Sequence, residues 1–263
     1  MIALVTGASS GLGAATARRL AREPDAHLVL VARRRERLEA LAAELGGATV
    51  IAVDLLHPAT PALIAERVKA EHGRLTLVVN SAGVGGRGNF GDIGWAGMAW
   101  TMATNFDAHV RLTEALLPLL RRSAPSAIVN IGSLAGRVAR PRAGSYSASK
   151  FALAGWTESL YMEERRNGVH VALVQPGFIA TEGFPQRELL ARPLTRWMVS
   201  TEDKVAEAIV DVWKRRRAER YVPRPYALVP IARTLLPGLY RRVVGGGAFT
   251  PSTGPRRTTD DRG

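Results

Sequence analysis

One pattern constrains this chain more than any other: short, continuously apolar runs alternate with segments of helical spacing from the first residue onward. Ile2–Thr6 opens the series, and His27–Ala32, Ala48–Val53, Leu75–Val79, Ala127–Ile131, Val169–Val174 and Arg220–Val222 continue it. Between them, Gly11–Arg22 turns Leu12, Ala15 and Leu20 inward, Glu36–Leu45 aligns Leu38, Leu41 and Leu45, and Pro61–Glu71 forms a third helix. Strands that are apolar on both sides of the pleat must be covered on both faces, and parallel neighbours need long helical crossovers. The pattern predicts an α/β fold, a doubly wound parallel sheet, as a single domain over residues 1–224. It shows no internal repeat and no linker before about residue 245. Three stretches depart from it. Residues 177–200 lack clear period and predict a loop or small lid, 225–244 predict an amphipathic basic helical extension, and the Gly/Pro/Thr-rich 245–263 predicts a disordered tail.

Composition narrows the function classes. With 46% hydrophobic and 22% charged residues in 263, the chain has enough apolar surface for a large core, which excludes disorder along its whole length. No apolar run reaches the ~18 residues a membrane-spanning helix needs. Met1 leads directly into a strand without a charged leader or cleavage site, so no secretory signal is expected. Cysteine is absent, which removes disulfides, thiolate metal sites and cysteine nucleophiles and fits a cytoplasmic protein. His27, His57, His72, His109 and His170 show no ligand spacing, so no metal site is expected. The net charge of +13 is uneven: twelve basic residues face three acidic ones from Lys214 to the end.

The chemistry-bearing residues fall at the ends of the predicted strands. The first strand runs into Thr6-Gly7-Ala8-Ser9-Ser10-Gly11-Leu12-Gly13 and then a helix. Gly7 permits a tight turn, Gly11 lets the backbone approach a pyrophosphate, and Gly13 packs helix on sheet, while the helix N-terminus faces the anion. After the second strand come Arg33 and Arg34, where an acidic residue would bind the ribose hydroxyls of NAD and an arginine would clamp the 2′-phosphate of NADP. Arg33 is the first choice and Arg34 the second; a solvated basic turn is the alternative. Tyr146 and Lys150 are four apart and share a helix face, so the ammonium can favour the phenolate. Ser133 follows the strand Ala127–Ile131, at the carboxyl edge where such sheets place their sites.

Taken in order, the glycine pattern at 6–13, Asn80-Ser81-Ala82-Gly83, Asn105, Ser133, Tyr146 with Lys150, and Pro176-Gly177 resemble the short-chain dehydrogenase/reductase family in its compact form. The resemblance covers residues 1 to about 225 and implies a Rossmann-type oxidoreductase that moves a hydride between nicotinamide and a carbonyl or secondary alcohol; Arg33 and Arg34 favour NADP, with NAD the lesser expectation. It departs from the family in one place, where the usual Asn-Asn-Ala-Gly reads Asn-Ser-Ala-Gly. The resemblance implies that Tyr146 is the general acid or base, that Lys150 lowers its pKa and holds the nicotinamide ribose, and that Ser133 bonds the substrate oxygen. By the same likeness Asn105 kinks its helix and positions a water in a proton relay. Asp54 meets the adenine, and Asn80, Ala82 and Gly83 line the inner side of the cofactor. Pro176, Gly177, Ile179 and Thr181 hold the carboxamide, and Gly7, Ser9, Ser10, Gly11, Leu12 and Gly13 hold the pyrophosphate. Family members usually pair through the helices around 98–121 and 146–167, which implies a homodimer or tetramer.

Val84, Leu134, Ala135, Phe178, Phe184 and Trp197 are candidate pocket residues, all apolar and without a basic residue aimed among them, so an apolar ketone, aldehyde or lipid-like substrate is expected. An acyl-carrier-linked ketoreductase and a cofactor-sensing binding protein are the competing readings; the complete Asn105, Ser133, Tyr146, Lys150 set argues against a pure sensor. In the extension, Leu228, Ile231, Leu235 and Leu239 form a helical stripe bordered by arginines, with Pro230 and Pro237 expected to kink or divide it. Two readings stay open for the stripe: peripheral membrane contact, or packing over the pocket or a second subunit. No reader motif for nucleic acid is present, and none is expected to bind.

Overall fold

The computed structural model describes residues 1–86, 88–180 and 196–246, apart from the side chain of Trp197. Seven strands form a fully parallel sheet in the order β3-β2-β1-β4-β5-β6-β9. They are β1 (Ile2–Thr6), β2 (His27–Ala32), β3 (Thr49–Ala52), β4 (Leu77–Asn80), β5 (Ser126–Ile131), β6 (Val169–Pro176) and β9 (Glu219–Val222). A two-stranded parallel ribbon, β7 (Phe178–Ala180) with β8 (Val199–Thr201), stands apart from it. The helices are α1 (Gly11–Leu20), α2 (Arg35–Glu44), α3 (Thr60–His72), α4 (Phe90–Met102), α5 (Ala108–Arg122), α6 (Gly144–Glu164), α7 (Glu202–Lys214), α8 (Leu228–Leu235) and α9 (Pro237–Gly245).

The predicted doubly wound sheet is the fold observed, and the apolar strands explain it. Alternate residues of each strand feed two separate cores. Ala3, Val5, Leu28 and Leu30 meet Ala17 and Leu20 of α1, Leu38 of α2 and Ile209 and Val212 of α7 on one face. On the other, Leu4, Val29, Val31 and Ile128 meet Ile64 of α3, Leu112 and Leu116 of α5 and Leu160 of α6. The sheet order reverses at β1 and β4, whose register pairs Val5 with Val79 and leaves a crevice beyond both carboxyl ends. Every predicted strand is present, with ends shifted by one or two residues.

Past β9 the chain does not leave the domain. A short 3-10 turn, Arg224–Ala227, buries Tyr226 and donates its hydroxyl to the Met198 carbonyl at 2.7 Å. The stripe is divided at Pro237, one of the two prolines expected to kink or divide it: α8 ends at Leu235 and Pro237 opens α9 as its first residue. Pro230 falls in the first turn of α8, where its missing N–H interrupts nothing. Residues 181–195 and 247–263, which hold most of the predicted lid and tail, lie outside the described residues. No described helix is long and apolar enough to cross a membrane.

Candidate active site

The crevice begins at the turn after β1. Gly7 and Gly11 have φ of +69° and +57°, a region costly for side chains. A Cβ on Gly7 would sit 2.9 Å from Ala82 Cα, and one on Gly13 would sit 2.3 Å from the Gly7 carbonyl oxygen. Backbone contact therefore fixes Gly7 and Gly13, whereas Gly11 is fixed by its dihedral. Thr6 ties this turn to the next strand: its hydroxyl donates to the Val79 carbonyl and accepts the N–H groups of Ser81 and Ala82, both at 3.0 Å. Leu12 faces the cleft from the start of α1.

Of the two arginines after β2, the second lies over the loop. The Arg34 guanidinium donates to Ser9 Oγ at 2.9 Å and to Ser10 Oγ at 2.7 Å; Arg33 and Arg34 are both exposed. Asp54 is exposed beyond β3; its Oδ1 accepts the Leu56 N–H and its carbonyl accepts the Thr60 hydroxyl, which shapes the entry to α3.

Tyr146 and Lys150 stand one turn apart on α6, with Lys150 Nζ 5.9 Å from the Tyr146 ring centroid. Lys150 is 5% exposed and donates to the Ile131 carbonyl at 2.7 Å; burial pulls its pKa down to about 8. Ser133 is buried just past β5, where its N–H donates to Gln175 Oε1 at 2.9 Å and its Oγ accepts the Ala135 N–H at 3.1 Å. That caps the short turn Leu134–Gly136, and a Cβ on Gly136 would lie 2.6 Å from the Lys150 carbonyl oxygen, so the turn presses against α6. Asn105 is fully buried in a π-helical turn, Ala103–Asp107, between α4 and α5. Its Oδ1 accepts the Val84 N–H at 2.7 Å, and its Nδ2 donates to the Val84 carbonyl and to Ser149 Oγ. The absent side chain of Gly83 leaves the space there open: a Cβ would meet Asn105 Oδ1 at 3.1 Å and Lys150 Nζ at 3.9 Å.

Two expectations change. Asn80 does not point into the crevice; it is fully buried and donates to Asn130 Oδ1 at 2.8 Å and Thr113 Oγ1 at 3.2 Å, bridging β4, β5 and α5 inside the core. Its effect on the site passes through the backbone of Ser81 and Gly83, which do line the cleft. The cleft also has a cation in its wall. Arg140 lines it with its guanidinium 5.4 Å from the Phe178 ring centroid, a position three-dimensional packing creates and spacing did not reveal.

The cleft encloses about 450 Å³ and is mainly apolar. Ser133, Tyr146 and Lys150 line it together with Pro176, Gly177 and Ile179. Gly177 is glycine for contact as well as for site, since a Cβ there would be 1.8 Å from the Tyr226 ring. Val84, Leu134, Ala135 and Phe178 join the wall as predicted, whereas Thr181, Phe184 and the Trp197 side chain lie outside the described residues. Val229 of α8 and Tyr240 and Val244 of α9 complete the wall, so the extension does pack over the pocket, as one of its two readings allowed, through residues outside the predicted stripe.

His109 was also missed as a site residue. It lies one turn after Asn105, fully buried, with Nε2 2.8 Å from the Ala82 carbonyl. Burial, reinforced by the nearby Lys150 charge, pulls its pKa down to about 3, so the ring is neutral and donates that bond. Its spacing of four from Asn105 was the available signal. Among the described residues no group of three or more His, Asp or Glu could hold a metal ion.

Comparison with known proteins places this geometry. The family model for short chain dehydrogenases matches residues 1–189. A 3-ketodihydrosphingosine reductase of Bacteroides thetaiotaomicron is 34% identical over 176 residues, covering 67% of this chain and 63% of that protein. The ketoacyl reductase HetN of a Nostoc species is 32% identical over 220 residues, 82% of this chain and 76% of HetN. The crystal structure of a short-chain dehydrogenase from Streptomyces avermitilis superposes with a TM-score of 0.77 at 27% identity, covering 93% of this chain and 97% of that one. The chain thus spans somewhat under two thirds of the first of these relatives. It belongs to the short-chain dehydrogenase/reductase family of oxidoreductases.

Proposed function

We propose that this protein is an NADPH-dependent ketoreductase acting on a ketone with an apolar chain, or on the matching secondary alcohol in reverse. One observation carries the reading: a phenol and a buried ammonium share one helix face at the floor of an apolar cleft, beside a serine held at its backbone by Gln175. The site residues fit a nicotinamide dinucleotide. The left-handed Gly7 and Gly11 open the loop, and the missing Cβ of Gly83 leaves room beside Asn105 and Lys150. Leu12, Gly13, Ala82 and Ile179 would complete the contact, with Asp54 toward the adenine. Arg34, already on Ser9 and Ser10, would meet the 2′-phosphate, which favours NADP over NAD, with the neighbouring Arg33 as a second candidate.

When bound, the nicotinamide supplies or accepts the hydride. The chain's own residues handle the proton and the charge. Tyr146 gives its hydroxyl proton to the carbonyl oxygen as negative charge builds there, and Ser133 donates a second hydrogen bond to the same atom. Lys150, charged below about pH 8, lowers the cost of the phenolate left behind. Asn105 holds the Val84 backbone and leaves the polar end of the relay in a fixed position. His109, neutral and bonded to the Ala82 carbonyl, fixes the segment after β4, beside Gly83 and Lys150, without adding a second positive charge. The names of the two reductase relatives support a keto substrate. We also take two copies to pair through the outer faces of α5 and α6, as family members usually do.

The decisive experiment is NADPH oxidation against a panel of apolar ketones, run beside Tyr146→Phe. Loss of the general acid should lower turnover by about 10²–10⁴-fold while NADPH binding changes little. Turnover retained in the variant would refute the assignment.

A further inference from the structure

The two C-terminal helices have two different faces. Inward, Val229, Tyr240 and Val244 form part of the cleft wall. They are pinned to the domain by two bonds, Arg233 to the Arg137 carbonyl at 2.6 Å and the Tyr240 hydroxyl to the Ala139 carbonyl at 2.5 Å. The Arg233 guanidinium further lies 5.2 Å from the Phe151 ring centroid. Outward, Leu228, Ile231 and Leu235 of α8 continue into Leu236, Leu239 and Val243, and each is between 45% and 72% exposed. Six exposed large apolar side chains within sixteen residues, on two consecutive helices and the residue between them, are more than a soluble monomer usually leaves to water without a use.

The charge around that surface has one sign. From Arg224 to Gly246 the chain has four arginines and no acidic residue, and with Arg233 turned inward, Arg224, Arg241 and Arg242 remain exposed. An apolar stripe edged by exposed arginines suits the boundary of an anionic bilayer, where the leucines enter the acyl region and the guanidinium groups meet phosphates. An acidic carrier protein would be recognised by the arginines but would leave the six apolar side chains uncovered. The helices that carry the stripe on their outer side are the same ones that wall the cleft holding Ser133 and Tyr146.

We propose that α8 and α9 dock this protein on an anionic membrane surface and that its substrate is an amphiphilic keto lipid drawn from that surface. This rests on the ketoreductase reading for the substrate, while the docking stands without it. The helices lie in the interface plane and do not span it.

The test uses the full chain and sedimentation with vesicles of phosphatidylcholine alone or mixed with phosphatidylglycerol. Binding should require the anionic lipid and weaken with salt. Leu235→Asp with Leu239→Asp should reduce it at least about tenfold, and Arg241→Gln with Arg242→Gln should reduce it by about 25-fold, at about fivefold per charge. Both variants should still reduce a short, water-soluble ketone that the wild type accepts, which separates failure of docking from failure of the ketoreductase reading. Equal binding to both vesicle types, or no binding, would overturn the proposal. So would sedimentation velocity showing that the leucine variant dissociates a dimer held by this face. Tight binding of an acidic carrier protein that outcompetes vesicles would overturn it in favour of that partner.

Discussion

Replacing Lys150 with methionine should separate what this residue does for chemistry from what it does to the fold. Burial lowers its pKa from 10.5 to about 8, so near neutral pH the folded chain holds a charge it has desolvated. The unfolded chain keeps that proton up to 10.5, and the folded chain releases it from about 8. Between those values the unfolded state binds more protons, so raising the pH favours the fold. At ~1.4 kcal/mol per pKa unit, the charge costs about 3 kcal/mol near pH 7 and about 1.4 kcal/mol near pH 9.5. Methionine keeps the length, removes the titration, and forfeits one hydrogen bond to Ile131 worth about 1 kcal/mol. The cofactor-free variant should therefore be more stable than the parent by about 2 kcal/mol near pH 7, with nearly all of that gone by about pH 9.5. Urea unfolding of both chains at the two pH values measures this, and turnover should be lost in the same variant. If the stability difference is the same at both pH values, the buried charge is not what sets it, and the account of Lys150 fails.

Other outcomes follow from the same geometry. His109 is held neutral with a pKa of about 3 against 6.5 unfolded, so below about pH 6.5 the unfolded chain takes up a proton that the folded chain refuses, and stability should fall by ~1.4 kcal/mol per pH unit. His109→Gln can keep a donor toward the Ala82 carbonyl without the titration; an acid limb as steep as the parent's would show that other groups cause the loss. Arg34→Asp should weaken NADPH by roughly 10–100-fold and shift the NADPH/NADH preference, as read from kcat/KM with both cofactors. An unchanged ratio there, with a shift in Arg33→Asp, would reverse the order in which the two arginines matter.

The fold was legible because the strands are apolar on both sides, and no other arrangement buries Ala3-Leu4-Val5 or Leu28-Val29-Leu30-Val31 on two faces at once. The positions of Gly7, Gly11 and Gly13 were legible for a local reason, since left-handed dihedrals and backbone contact leave glycine as the residue that fits. Spacing of four likewise placed Tyr146 and Lys150 on one face. Other features depended on which chain segments meet. Arg34, rather than Arg33, reaches Ser9 and Ser10 because of how β2 ends, 24 and 25 residues further along the chain. Asn80 turns inward because Asn130 and Thr113 wait there. The depressed pKa values of His109 and Lys150 come from burial, which no sequence window contains. The extension shows the division most clearly. Its leucine periodicity marked an apolar helical stripe and Pro237 marked where it divides, but the bonds from Arg233 and Tyr240 to the loop before α6 decided which side closes the cleft and which side stays open. A helix can be read from neighbours three and four residues away, whereas the choice of its buried face is made by atoms about a hundred residues distant.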